Sequence, residues 1–167
     1  MAISLDALDV TIIQALQKDG RTAFDKIANQ TGVSARTISA RVNRLVEASV
    51  IDIVAVVNPD HVGYPVLATV FIETEMNKTK EVADYLASMS EVAFVGLTSG
   101  DPDIYISVRA ESNNSLASFI TERLPAIRGI RRSRMLLVLD IVKAASKWQL
   151  PNGNSNGAGK PSARKKS

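Results

Sequence analysis

Residues 22–47, TAFDKIANQTGVSARTISARVNRLVE, constrain what this chain can fold into more than any other stretch. Phe24, Ile27 and Ala28 recur at helical spacing as far as Thr31-Gly32, where glycine can adopt the backbone angles that close a helix. The chain then re-enters a helix at once. Ser34 suits the N-cap, because its hydroxyl can accept a hydrogen bond from an orphan amide of the first turn. Beyond it Ile38, Val42 and Leu45 form an apolar i, i+4, i+7 stripe, while Arg36, Thr37, Ala40, Arg41 and Arg44 fall on the opposite side or its flank. Two short amphipathic helices joined this tightly are the pattern of a helix-turn-helix. A helix from Asp6 to Lys18 precedes them. Asp6 is its cap with Asp9 three positions on, Leu8, Ile12, Ile13 and Leu16 are its stripe, and Gly20 is its stop, which completes a compact three-helix unit.

The face left free has the chemistry that a DNA major groove demands. Ala40 is small enough for close approach, Arg36 and Thr37 lie near the helix N-terminus where side chains reach base edges, and Arg41 and Arg44 can meet phosphates or guanine. The competing reading is a solvated arginine face with no partner. The three-helix context favours double-stranded DNA.

Composition narrows the function. With 167 residues and 46% hydrophobic content, the chain can build one ordinary domain or two small ones. It contains no cysteine and one histidine, His61, which follows Asn58-Pro59 in a connector. Thiolate metal sites, a cysteine nucleophile and a histidine-rich metal site are therefore excluded, and no cofactor is expected. The N-terminus lacks a signal-peptide pattern and no apolar run is long enough to span a bilayer, so a cytoplasmic location is expected. From Pro151 onward the chain reads PNGNSNGAGKPSARKKS, basic at Lys160, Arg164, Lys165 and Lys166 and free of acidic residues. Without those four of the 20 basic side chains, 16 face 17 acidic ones, so the basicity lies in the tail. Its Gly, Asn and Ser content predicts disorder, with a role either as a salt-sensitive phosphate anchor or as a solubilising appendage.

After the helix-turn-helix, the β-branched run Val50 to Val57 reads as a strand, and Asn58-Pro59 and Gly63-Tyr64-Pro65 as a hinge. Six further segments follow: Val66 to Glu75, Thr79 to Met89, Glu91 to Thr98, Asp103 to Ala110, Ser115 to Ile127 and Ile130 to Val142, in the order βαββαβ. That order predicts a ferredoxin-like antiparallel sheet with both helices on one face. The class is α+β. The expected division is 1–50 for the helix-turn-helix, 51–65 for the hinge strand and linker, 66–147 for the ferredoxin-like domain and 148–167 for a disordered basic tail. Neither sheet face is polar in its pattern: the first strand offers Val66, Ala68, Val70 and Ile72 on one side and Leu67, Thr69 and Phe71 on the other, and the last is apolar on both sides from Met135 to Leu139, so the face without helices is apolar. Such a face predicts a homodimer through the sheets, which would also pair the DNA-reading helices about 34 Å apart.

Between the second and third strands lies Thr98-Ser99-Gly100-Asp101-Pro102-Asp103. One reading is a hairpin turn shaped by glycine and proline. The other is a clamp for an amino acid, with Asp101 or Asp103 taking the ammonium and loop amides or hydroxyls taking the carboxylate. No nucleophile, electrophile or metal ligand set accompanies the aspartates, so a catalytic role is not expected.

The segments LDALDVTIIQALQKDGR, TGVSARTISARVNRL, VNPDHVG, LTSGDPDIYI and LPAIRGIRRSRMLLVLDIV together resemble the leucine-responsive and asparagine regulator (Lrp/AsnC) family of prokaryotic transcription factors, over about Leu5 to Lys143. The resemblance implies a DNA-binding head, with contacts at Ser34, Arg36, Thr37, Ala40, Arg41 and Arg44. It further implies a ferredoxin-like domain, dimers that assemble into tetramers or octamers, and a small effector, frequently an amino acid. That effector would bind beside Thr98, Ser99, Gly100, Asp101 and Asp103, with Leu136 nearby. Pro102 stands where relatives often carry an aromatic residue, and Leu136 where some carry a tyrosine, so the effector's identity does not transfer. Two other classes remain open: an architectural protein that coats DNA without a ligand, and, since the two-part architecture resembles siroheme decarboxylases, a tetrapyrrole enzyme, against which the solitary His61 argues.

Overall fold

In the computed structural model, which describes residues 4–151, the first helix begins at its expected cap. Asp6 accepts from the Asp9 amide at 2.8 Å and donates its own amide to the Asp9 carboxylate at 3.1 Å, a reciprocal capping box at the start of α1 (Ala7–Lys18). Helix α2 (Phe24–Thr31) ends at Gly32, whose φ of 73° is the left-handed conformation that glycine adopts without strain. Ser34 then accepts from the Thr37 amide at 3.1 Å and starts α3 (Ala35–Glu47). The three apolar stripes meet in one core, in which Ile12, Ile27, Ile38 and Leu45 are wholly buried and Leu8, Leu16 and Phe24 pack from the side.

The described residues divide into two compact units: those up to Ala55 together with those from Ala144 on, and Val56–Lys143. Residues 148–151 thus group with the helices. The Gln17 side-chain amide donates to the Trp148 carbonyl at 3.1 Å and accepts from the Leu150 amide at 2.9 Å, and Leu150 packs against the helical core. The four basic residues of the expected tail lie outside the described residues.

The second unit runs β1 (Val66–Thr74), α4 (Thr79–Ala87), β2 (Val92–Leu97), β3 (Ile104–Ala110), α5 (Asn113–Ser118) and β4 (Ile130–Leu137), in one antiparallel sheet ordered β2-β3-β1-β4. This is the ferredoxin-like arrangement expected. Ala68, Val70 and Ile72 of β1 and Ile104, Ile106 and Val108 of β3 are fully buried beneath Val82 and Leu86 of α4 and Leu116 and Phe119. The alternate residues Leu67, Thr69 and Phe71 lie on the other face, which no helix of the unit covers. At about 1.5–3 kcal/mol for each large aliphatic side chain buried, the helix-covered face is the stronger source of stability.

Two expected elements take another form. The run Val50–Val57 joins no ladder, because the one sheet among the described residues is complete without it, and Val54 and Val56 stand 72% and 71% exposed. The helix expected over Ser115–Ile127 is α5 followed by a π-helical turn over Phe119–Arg123, where Leu124 donates to the Phe119 carbonyl at 2.8 Å. The wider turn seats Phe119 and Leu124, five positions apart, in the same core, a spacing that an α-helical pattern does not reveal.

Candidate nucleic-acid interface and effector loop

Ser34, Arg36, Thr37 and Ala40 are exposed along the first turns of α3 while Ile38, Val42 and Leu45 are buried behind them. The Ser34 and Thr37 hydroxyls share a hydrogen bond of 2.8 Å, so the cap also orients the threonine. Arg36 forms no ion pair among the described residues and its guanidinium is free to engage a partner.

Arg41 and Arg44 have a second attachment that the sequence pattern did not signal. Asp9 of α1 is 1% exposed, and its two carboxylate oxygens accept from Arg41 Nη1 at 3.1 Å and Arg44 Nη2 at 2.5 Å. Arg41 Nη1 also reaches Asp6 Oδ2 at 2.5 Å. A buried carboxylate must be paired to stay charged, and here the pairing spans α1 and α3. Burial pushes the Asp9 carboxyl up, but the Asp6 amide and the two guanidinium groups more than offset it and hold the group below the usual carboxylate range. The Asp6 carboxyl is lowered too, first by the Arg41 hydrogen bond and then by the Asp9 amide. Asp6 and Asp9, assigned as capping residues from the sequence, therefore also fix two cations of α3. Both arginines keep part of the side chain in solvent, 31% for Arg41 and 46% for Arg44, so outward donors remain.

In the second unit, the loop from Thr98 to Asp103 closes the β2–β3 hairpin. Thr98, Ser99, Gly100 and Asp101 are exposed. Asp103 is committed elsewhere, because its Oδ2 accepts from the Thr74 amide at 2.7 Å and from the Thr74 hydroxyl at 3.1 Å. It fastens the end of β1 to the start of β3, and an ammonium would have to displace those bonds. The Thr98 hydroxyl donates to the Pro102 carbonyl within the loop.

Of the loop aspartates, Asp101 faces a cavity of about 160 Å³, bounded by Phe71, Glu73, Pro102, Arg132, Ser133 and Arg134. Leu136 lies further along β4, opposite Thr69, and does not border it. The cavity carries two carboxylates and two guanidinium groups. Arg131 reaches Glu73 at 2.7 Å, and Arg134 lies 5.0 Å from the centre of the Phe71 ring. Composition and motif spacing do not single out Glu73, Arg132 and Arg134. Their signal is the alternation of the RRSR stretch on an edge strand, which sends Arg132 and Arg134 to the same face as Phe71 and Glu73.

Comparison with known proteins gives the same two parts. Residues 5–46 match the AsnC-type helix-turn-helix domain and residues 67–148 the Lrp/AsnC ligand binding domain. The HTH-type transcriptional regulator FL11 of Pyrococcus furiosus is 36% identical over 140 residues, which is 83% of this chain and 92% of that protein. The structure of E. coli AsnC superposes with a TM-score of 0.79 at 29% identity, covering 86% of this chain and 99% of that one. A transcriptional regulator from Neisseria meningitidis, solved as a complex with L-Met, shares the fold with a TM-score of 0.80 at 21% identity, over 89% of this chain and 97% of that one.

Proposed function

This chain belongs to the Lrp/AsnC family of DNA-binding transcription regulators, and on that premise we propose that it is a sequence-specific regulator whose DNA binding is modulated by an amino acid. The observation that carries the DNA assignment is the exposed row Ser34, Arg36, Thr37 and Ala40 on α3, backed by Arg41 and Arg44 held on the buried Asp9. Arg36 and Thr37 read base edges, Ala40 permits close approach, and the outward donors of Arg41 and Arg44 meet phosphates. Asp9 acts through those two arginines as a positioning residue.

The effector reading rests on the cavity at Asp101. A free amino acid presents one ammonium and one carboxylate, and the cavity offers Asp101 to the first and Arg132 and Arg134 to the second, while Glu73 is held by Arg131 at 2.7 Å. Asp103 shapes the loop. The volume suits a small or medium side chain.

Oligomerisation is supported by two unpartnered surfaces. The open sheet face carries Phe71, Phe94 and Tyr105, with Phe94 47% exposed, and the run 50–57, which joins no ladder among the described residues, exposes Ile53, Val54, Val56 and Val57. A second copy of the chain covers both, and its twofold axis presents two α3 helices to successive turns of one duplex. No helix among the described residues is long and apolar enough to cross a membrane, which accords with a cytoplasmic regulator.

The test is a gel-shift titration against the DNA upstream of the protein's own gene, with and without each common amino acid. A discrete shift altered by one amino acid, and altered less in Asp101→Asn, supports the reading. Salt-governed binding with no base preference and no response to any amino acid would favour the architectural alternative.

A further inference from the structure

A second cavity, of about 500 Å³, opens at the end of β3 and shares no residue with the one at Asp101. Tyr64, Glu91, Arg109, Ser115 and Arg123 border it, and Phe119, 2% exposed, supplies apolar lining. Its two arginines differ. Arg123 is engaged by the Glu91 carboxylate and lies 5.7 Å from the centre of the Phe119 ring, so its charge is answered within the wall. The Arg109 side chain is only 18% exposed, yet its nearest anion is Asp60 at 3.6 Å, beyond hydrogen-bond reach. Its guanidinium makes no hydrogen bond to protein among the described residues. A planar fork of donors, mostly withdrawn from water, bordering a cavity and lacking a bonded acceptor, is the complement of a carboxylate.

Two independent features converge on the same place. The π-helical turn over Phe119–Arg123 puts both of its end residues on the cavity wall, and single π turns inside helices recur at functional sites. Asp60 belongs to the 3-10 turn Pro59–Val62, which closes the connector leading from the helical unit into β1.

We propose that this cavity binds a small organic carboxylate, which takes the Arg109 fork and displaces Asp60 from it. Because ligand and Asp60 compete for one cation, each weakens the other, and occupancy loosens the connector turn from the sheet. That competition links a ligand in this unit to the segment that carries the DNA-binding head, with equal coupling in both directions. Glu111, exposed at the rim, takes the ammonium if the occupant is an amino acid. The site stands whether or not the Asp101 cavity holds a ligand.

Calorimetric titration of the full chain tests this with L-leucine, L-phenylalanine and their 2-oxo counterparts, 4-methyl-2-oxopentanoate and phenylpyruvate, which keep carboxylate and side chain and differ at the ammonium. At least one probe binds the wild type. Arg109→Gln weakens that binding by about tenfold or more, as expected for a lost charge-assisted pair. Asp60→Asn, at an exposed turn where folding is not at risk, tightens it several-fold, and Asp101→Asn leaves it unchanged. Preference for the amino acid that Glu111→Gln abolishes identifies an amino acid as occupant, and equal binding of both forms identifies a plain carboxylate. The proposal is overturned by no heat from any probe up to about 10 mM, by binding that survives Arg109→Gln, by an Asp60→Asn variant that binds no tighter, or by loss in Asp101→Asn.

Discussion

Arg36 and Arg41 sit five positions apart on one helix and do different things. Arg36 has no ion pair among the described residues, whereas Arg41 is tied to Asp6 and Asp9. Arg36→Ala should therefore weaken specific DNA binding by about 1–3 kcal/mol, the worth of one good base contact, with thermal stability and sedimentation unchanged. Arg41→Ala should lower both DNA affinity and the melting temperature, because it also removes a partner from a buried carboxylate. Asp9→Asn keeps the shape and removes the charge, so the helical unit should lose about 1–3 kcal/mol of stability. The acid dependence follows from the lowered carboxyls of Asp6 and Asp9. A carboxyl lowered in the folded state stabilises fully above its unfolded value, and that contribution is lost as pH falls through the folded one. Stability contributed by the cluster should thus be flat near neutrality and decline below the ordinary carboxylate range, more weakly in Asp9→Asn, as acid titrations followed by circular dichroism would register. The periodicity of α3 marked its free face, but the anchoring of Arg41 and Arg44 was hidden because it joins residues more than thirty positions apart. Asp103 shows the same limit: its chemistry suited an ammonium, and only the β1–β3 register reveals that Thr74 already holds it.

At the level of elements, local signals were legible wherever one residue decides the outcome. The Asp6 capping box, the Gly32 stop and the Ser34 cap each rest on a short-range bond, and each lies where the pattern placed it. Removing the last of these, as Ser34→Ala, should cost about 0.5–2 kcal/mol in chemical denaturation. Elements that depend on distant partners were less legible: the run 50–57 has strand chemistry but joins no ladder among the described residues, and the Phe119–Arg123 turn departs from α-helical spacing to seat Phe119 and Leu124 together. On the open sheet face, Gly96 lies opposite Tyr105, and a Cβ there would come within 2.6 Å of that ring and 2.8 Å of Phe94. The glycine lets the two rings approach to 5.1 Å between centres. Gly96→Val should destabilise the domain, and Tyr105→Ser should recover part of the loss, a coupling that a double-mutant cycle measures.

For the whole molecule, the α+β class and the helix-to-sheet order could be read from residue patterns, since hydrophobic periodicity changes from helical to alternating near the hinge. Assembly is the larger question. Leu136, 51% exposed beside Thr69 on the open face, contributes to a surface that the chain alone leaves in water. Leu136→Glu should shift sedimentation toward the monomer, retain the cooperative melt of the sheet domain, and weaken DNA binding through loss of paired heads. The central claim is that the exposed row on α3 reads a duplex in symmetric pairs. Hydroxyl-radical footprinting of the full-length protein on its own upstream DNA tests it most directly. The expected result is discrete protected half-sites on one face of the duplex, spaced by about one helical turn or a multiple of it, which in Arg36→Ala require roughly tenfold or more protein at unchanged oligomeric state. Uniform protection, or discrete protection by Arg36→Ala at the same protein concentration as the wild type, would contradict it.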